Sequence, residues 1–173
     1  MSQSTLGLTG SSAVFSPCRD YRYTLHRRWG IGDPLVVCML NPSTADAEHD
    51  DPTIRRCIGF ARREGAAGLL VVNLMAYCST DPRALAGVDD PVGPRNHQTL
   101  ADVCTGAVRV VAAWGAHSST KLPGAAESIR VVQDAAAGRL YCLRKTKSGA
   151  PSHPLYLPKS APLVPWGTQE GGL

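Results

Sequence analysis

The chain has 173 residues, 43% of them hydrophobic, with 18 Lys and Arg against 14 Asp and Glu and a formal net charge of +4. That length supports one sizeable core and leaves a second independent domain cramped. No run approaches the roughly 18 apolar residues of a membrane span, and no basic stretch followed by an apolar core opens the chain, so a cytoplasmic monomer without a membrane partner is expected. The mild basic excess permits a polyanionic partner without demanding one. The six cysteines, Cys18, Cys38, Cys57, Cys78, Cys104 and Cys142, stand far apart with no CxxC pair, which predicts reduced structural thiols, no metal and no cofactor.

Residues 1–17 are rich in Ser, Gly and Thr and read as a loose N-terminal arm, with one α/β domain over 18–173. CRDYRYTLHRRWG alternates Tyr21, Tyr23 and Leu25 with Arg22, Thr24 and His26, the pattern of an edge strand with one wet face. LVVCML (35–40) is a short β-branched apolar run, as expected for a strand covered on both faces. IRRCIGFARR (54–63) places Ile54, Cys57, Ile58 and Ala61 on one side of a helix that ends near Gly65, with Asp51 or Thr53 as its cap. GLLVVNLMAY (68–77) and RVVAAWG (109–115) are two more buried strands, and Leu140–Leu143 a fourth; helix-compatible stretches at 96–104 and 124–137 lie between them. Strands alternating with helices predict a three-layer α/β sandwich around a largely parallel four-stranded sheet. The proline-rich tail after His153 is expected to run extended over the surface, anchored by Trp166.

Ligands of open α/β sheets bind beyond the carboxyl ends of the strands, so polar residues directly after apolar runs are the first candidates. Asn41-Pro42-Ser43-Thr44 ends one such run; its backbone N–H groups suit an anion, or it is a plain strand-to-helix turn capped by Asn. Asn73 lies inside LLVVNLMAY, where an unpaired amide costs about 1–3 kcal/mol; it either satisfies a neighbouring loop or reads a pyrimidine edge with its donor and acceptor. His153 stands between Pro151 and Pro154 in a stiffened loop with Leu155 and Tyr156 beside it, either a surface His or a deliberately placed one. His117 is a weaker candidate.

Taken in order, Leu40-Asn41-Pro42-Ser43, GLLVVNL (68–74), VAAWG (111–115) and His153-Pro154-Leu155-Tyr156 resemble the motifs of the uracil-DNA glycosylase superfamily. Within it the chain most resembles a group of small bacterial and phage proteins known as a domain of unknown function, through LNPSTAD, DDPTIRRC, NLMAY and HPLYL. The resemblance implies a metal-free monofunctional DNA glycosylase. In it Asn41 positions water, Asp46, Asp50 or Asp51 supplies a carboxylate, Pro42 and Ser43 shape the pocket, and Asn73 reads the base, with Tyr77 a stacking face or a core residue. His153 would stabilise the leaving group, Leu155 and Tyr156 fill the vacated stack, and Arg144, Lys145 and Lys147 contact phosphates. Arg55, Arg56, Arg62 and Arg63 are further phosphate candidates or a solvated helix face. Ser43 in place of a blocking Tyr implies a pocket open at the pyrimidine 5-position, hence a modified base such as hydroxymethylated or glucosylated cytosine in phage DNA, with antiviral defence as the setting. Uracil repair, a binding protein without excision, and a hydrolase of free nucleotides are the alternatives.

Overall fold

The structure, a computed structural model, describes residues 9–167. Seven strands form one mixed sheet in the order β1-β2-β4-β3-β5-β6-β7. They are β1 (Gly10–Phe15), β2 (Arg22–Arg28), β3 (Pro34–Met39), β4 (Gly68–Asn73), β5 (Val110–Ala112), β6 (Leu140–Cys142) and β7 (Val164–Pro165). The four central strands, β4-β3-β5-β6, are mutually parallel, and they are the four apolar runs read from the sequence. The expected four-stranded sheet is nonetheless too small. Antiparallel β1 and β2 extend it on one side and β7 on the other.

Two of these additions correct the reading of the chain's ends. Residues 10–15, expected in the loose arm, are strand β1, paired with β2 from Gly10↔Arg28 to Phe15↔Arg22; residues 1–8 of that arm lie outside the described residues. β2 is therefore an interior strand and not an edge. The tail does carry an anchor: Val164 pairs with Cys142, and the Trp166 ring meets Trp114 edge-on at 5.0 Å while its Nε1 donates to Gly149 O.

Helix α1 (Pro52–Arg63) begins where Asp51 Oδ1 accepts from Ile54 N at 2.8 Å, with Pro52 set in the first turn, and gives way at Gly65, whose φ of +72° suits glycine. Its buried residues Ile54, Cys57, Phe60 and Ala61 cover one sheet face together with Val37, Leu69 and Val71. Helices α2 (Asn96–Gly106) and α3 (Pro123–Ala135) cover the opposite face through Leu100, Cys104, Ala125 and Val132, against Val36, Cys38, Val72 and Val110. Burying each such large aliphatic side chain contributes about 1.5–3 kcal/mol, and alternate residues of β3 and β4 serve the two cores. All six cysteines are free thiols; burial pushes Cys57 up to about 12 and Cys104 to about 11, which keeps both un-ionised at neutral pH. Among the described residues no helix is long and apolar enough to cross a membrane.

Candidate functional site

The chain leaves β3 for β4 on one side and later returns to β5 on the other, so the sheet's topological switch point lies between the carboxyl ends of β3 and β5. A cleft of about 710 Å³ opens there. Its walls are Met39–Asn41 and Ser43 after β3, Trp114–His117 after β5, Asp51 and Ile54 at the start of α1, Ser79 and Thr80, and the 144–157 segment, with Arg22 from β2.

Asn41 is held by the segment after β4, which continues in parallel beside the end of β3 and the residues that follow it: Leu74 N donates to Met39 O, Met75 N to Leu40 O and Ser79 N to Pro42 O. Its Nδ2 donates to Pro42 O and to Ser79 O, both at 2.9 Å. Only an NH₂ group donates to two carbonyls, so the amide orientation is fixed and Oδ1 remains as an acceptor on a residue that lines the cleft. Pro42 is buried and serves through its carbonyl; Ser43 is exposed at the rim.

His153 follows a small hairpin closed by Thr146 N to Ala150 O and Ser152 N to Arg144 O. Its Nδ1 accepts from Leu155 N at 3.3 Å, which in the neutral ring places the proton on Nε2 and makes that atom a donor. Gly115, with φ of +76°, turns the chain after Trp114 and lies against the His153 backbone and Cβ; a side chain there is strained by the backbone angle alone. Burial holds His153 below its ordinary 6.5, partly offset by Asp51.

That depression has a sign. The unfolded chain takes up the proton first, so the contribution of His153 to stability is complete above about pH 6.5 and is lost as pH falls through its lower folded value. His26, lowered by burial and by Arg28 and Arg27, acts in the same window. Thermal unfolding followed from about pH 8 to pH 5 is expected to show Tm falling on acidification. His153→Gln should flatten part of that fall, leaving the share of His26.

Of the three candidate carboxylates only Asp51 lines the cleft. Asp46 is spent on its own turn, where Oδ1 accepts from Glu48 N and His49 N, contacts that lower its pKa. Asp50 pairs with Arg27 at 2.8 Å. Leu155 and Tyr156 stand at the rim, Tyr156 82% exposed with its ring 5.5 Å from that of His153. Arg144 lines the cleft, and exposed Lys145 and Lys147 share its hairpin. Tyr77 does not line the cleft; it bridges to Tyr21 and packs on it edge-on at 5.7 Å.

Asn73 departs from the expected convergence. It is fully buried and absent from the cleft wall, and among the described residues neither Nδ2 nor Oδ1 has a partner. Its register partner is Met39, which does line the cleft, so Asn73 sits one strand back from it. Two orphaned polar atoms make Asn73 costly to the fold, and Asn73→Val is expected to raise the unfolding free energy by about 1–3 kcal/mol in urea titration; a loss of stability would mean that the amide is a structural tie.

Arg22 is the residue that sequence reading missed. It lines the cleft yet is 2% exposed. Its place among alternating residues marked it as solvent-facing. Among the described residues, no group of three or more His, Cys, Asp or Glu could hold a metal ion.

A parallel-centred α/β sheet with a cleft at its switch point, into which a few polar side chains are set, defines the structural class. Over residues 22–155 the chain matches the family described as "Protein of unknown function (DUF1643)", and it belongs to that family. No curated protein and no solved structure matches it.

Proposed function

We propose that this protein is a DNA glycosylase that hydrolyses the N-glycosidic bond of a flipped, modified pyrimidine. The observation that carries this is the pairing, in one cleft, of a fixed acceptor on Asn41 with a donor on neutral His153. Breaking C1′–N leaves the electron pair on the base and a cationic sugar that water attacks. Asn41 Oδ1 accepts a hydrogen bond from that water and orients it but cannot take its proton. Asp51, whose Oδ1 alone is engaged, lies in the same cleft as the carboxylate for that proton or for the sugar cation. His153 Nε2–H donates to the base oxygen on which negative charge grows.

The rim suits an extruded nucleotide. Leu155 and exposed Tyr156 would fill the vacated stack, and Arg144, Lys145 and Lys147 would contact the flanking phosphates. Exposed Ser43 in the cleft wall, small where a Tyr would block, suits a base enlarged at the 5-position over plain uracil. Such an enzyme would suit a defence against phage DNA carrying hydroxymethylated or glucosylated cytosine.

The test incubates the protein with duplexes carrying uracil, 5-hydroxymethylcytosine or its glucosylated form and then cleaves abasic sites with alkali. Strand cleavage at the modified cytosine is expected; intact strands with all three substrates would refute excision. Affinity for the duplex should fall steeply with salt, as it would not for an enzyme of free nucleotides.

A further inference from the structure

Strand β2 buries two arginines on the underside of the 41–51 loop, and their circumstances differ. Arg27, 7% exposed, has its carboxylate: Nε donates to Asp50 Oδ1 at 2.9 Å, and Nη2 reaches the carbonyls of Asp46 and His49. Arg22, 2% exposed, has none. Its Nη1 donates to Ala45 O at 2.6 Å, its Nε has no partner, and among the described residues no carboxylate forms an ion pair with it.

A guanidinium so placed keeps its charge at neutral pH, although burial lowers its pKa. Cys78, Asp51 and Asp46 favour its charge only through space, and Arg27 opposes it. Among the described residues Asp51 is the one carboxylate in a cleft wall that also holds Arg22, Arg144, His117 and His153, and its Oδ1 is already committed to the first turn of α1. A buried, half-served cation opening on a cleft poor in negative charge is completed by an anion arriving through that cleft.

We propose that Arg22 makes the cleft floor an anion-binding subsite, which takes an oxyanion of the substrate. Assigning that oxyanion to the ring of the departing pyrimidine rests on the glycosylase reading. There the electron pair of the broken C1′–N bond resides on the base, Arg22 and His153 share its charge, and Arg22 keeps its own proton. A substrate phosphate offers the same oxyanion chemistry. Either source makes Arg22 a binding residue of the cleft.

Thermal unfolding of the full chain in chloride buffer decides the matter with two probes, inorganic phosphate and barbiturate, a pyrimidine ring that is anionic at neutral pH. At about 100 times its Kd the bound anion is expected to raise Tm by roughly 5 °C or more. Arg22→Met should abolish the rise, Arg22→Lys should weaken the apparent affinity by roughly threefold or more because a point charge replaces the planar fork, and Arg130→Met, on the exposed side of α3, should keep it whole. A stronger response to barbiturate places the base anion on Arg22; a stronger response to phosphate places a substrate phosphate there. No rise with either probe, or a rise unchanged in the Arg22 variants, overturns the subsite. If Arg22→Met does not fold, an unweakened response in Arg22→Lys overturns it equally. Excision is measured nowhere in this test, so its failure and that of the glycosylase reading remain distinct.

Discussion

Asn41→Ala is expected to slow excision of the modified base by about 10²–10⁴-fold, the loss typical of a positioned polar group. The variant leaves the cleft without the acceptor that would orient water in the proposed reaction, and it strips Pro42 O and Ser79 O of the donor they share. Each lost hydrogen bond weakens the fold by about 0.5–1.5 kcal/mol, so single-turnover rates have to be taken where the variant is demonstrably folded. Asn41→Asp sharpens the point. A carboxylate has no N–H for those two carbonyls, and its charge would face them; it should be less stable than Asn41→Ala and also slow. A folded Asn41→Ala enzyme with an unchanged single-turnover rate would remove Asn41 from the reaction.

His153→Ala is expected to cost a similar factor, about 10²–10⁴-fold, because in the proposed reaction the leaving base would lose the donor that meets its growing charge. The Leu155 N–H that caps Nδ1 fixes which nitrogen holds the proton, so the active form is the neutral ring and the rate should be level above neutrality. His153→Gln, which keeps a donor on a flexible stem, should fall between wild type and His153→Ala. Equal rates for all three, measured with the same duplex, would assign His153 to structure only.

Much of the site was legible because strand ends are legible. LVVCML and GLLVVN announce buried parallel strands through β-branched apolar runs, and polar residues at their ends mark the sheet edge where clefts form, so Asn41 was within reach of sequence alone. His153 was legible from its flanking prolines. Asp51 was nameable as a cap from its place before Pro52, but its presence in the cleft follows from where α1 starts relative to β3.

What escaped has physical causes. GSSAVF shows little amphipathic pattern because β1 is an outer strand with most of its residues exposed. Arg22 reads as solvated because alternation assigns faces and does not reveal that the loop after β3 folds over that part of β2. Asn73 and Asn41 are both carboxamides of apolar segments, but Asn73 lies inside its run and Asn41 closes one. The chain continues from Asn73 as buried Leu74, Met75 and Ala76, whereas Asn41 turns out of the sheet. Tyr77 was drawn to Tyr21 by a bridge that closes only in three dimensions.

The most direct measurement identifies by mass spectrometry what the protein releases from a duplex carrying glucosylated 5-hydroxymethylcytosine, comparing wild type with Asn41→Ala and His153→Ala. Free modified base, with a matching abasic site in the strand and at least a hundredfold less of it from each variant (about 10² or more), is the predicted result. No released base from wild type, or equal amounts from all three proteins, would contradict the account.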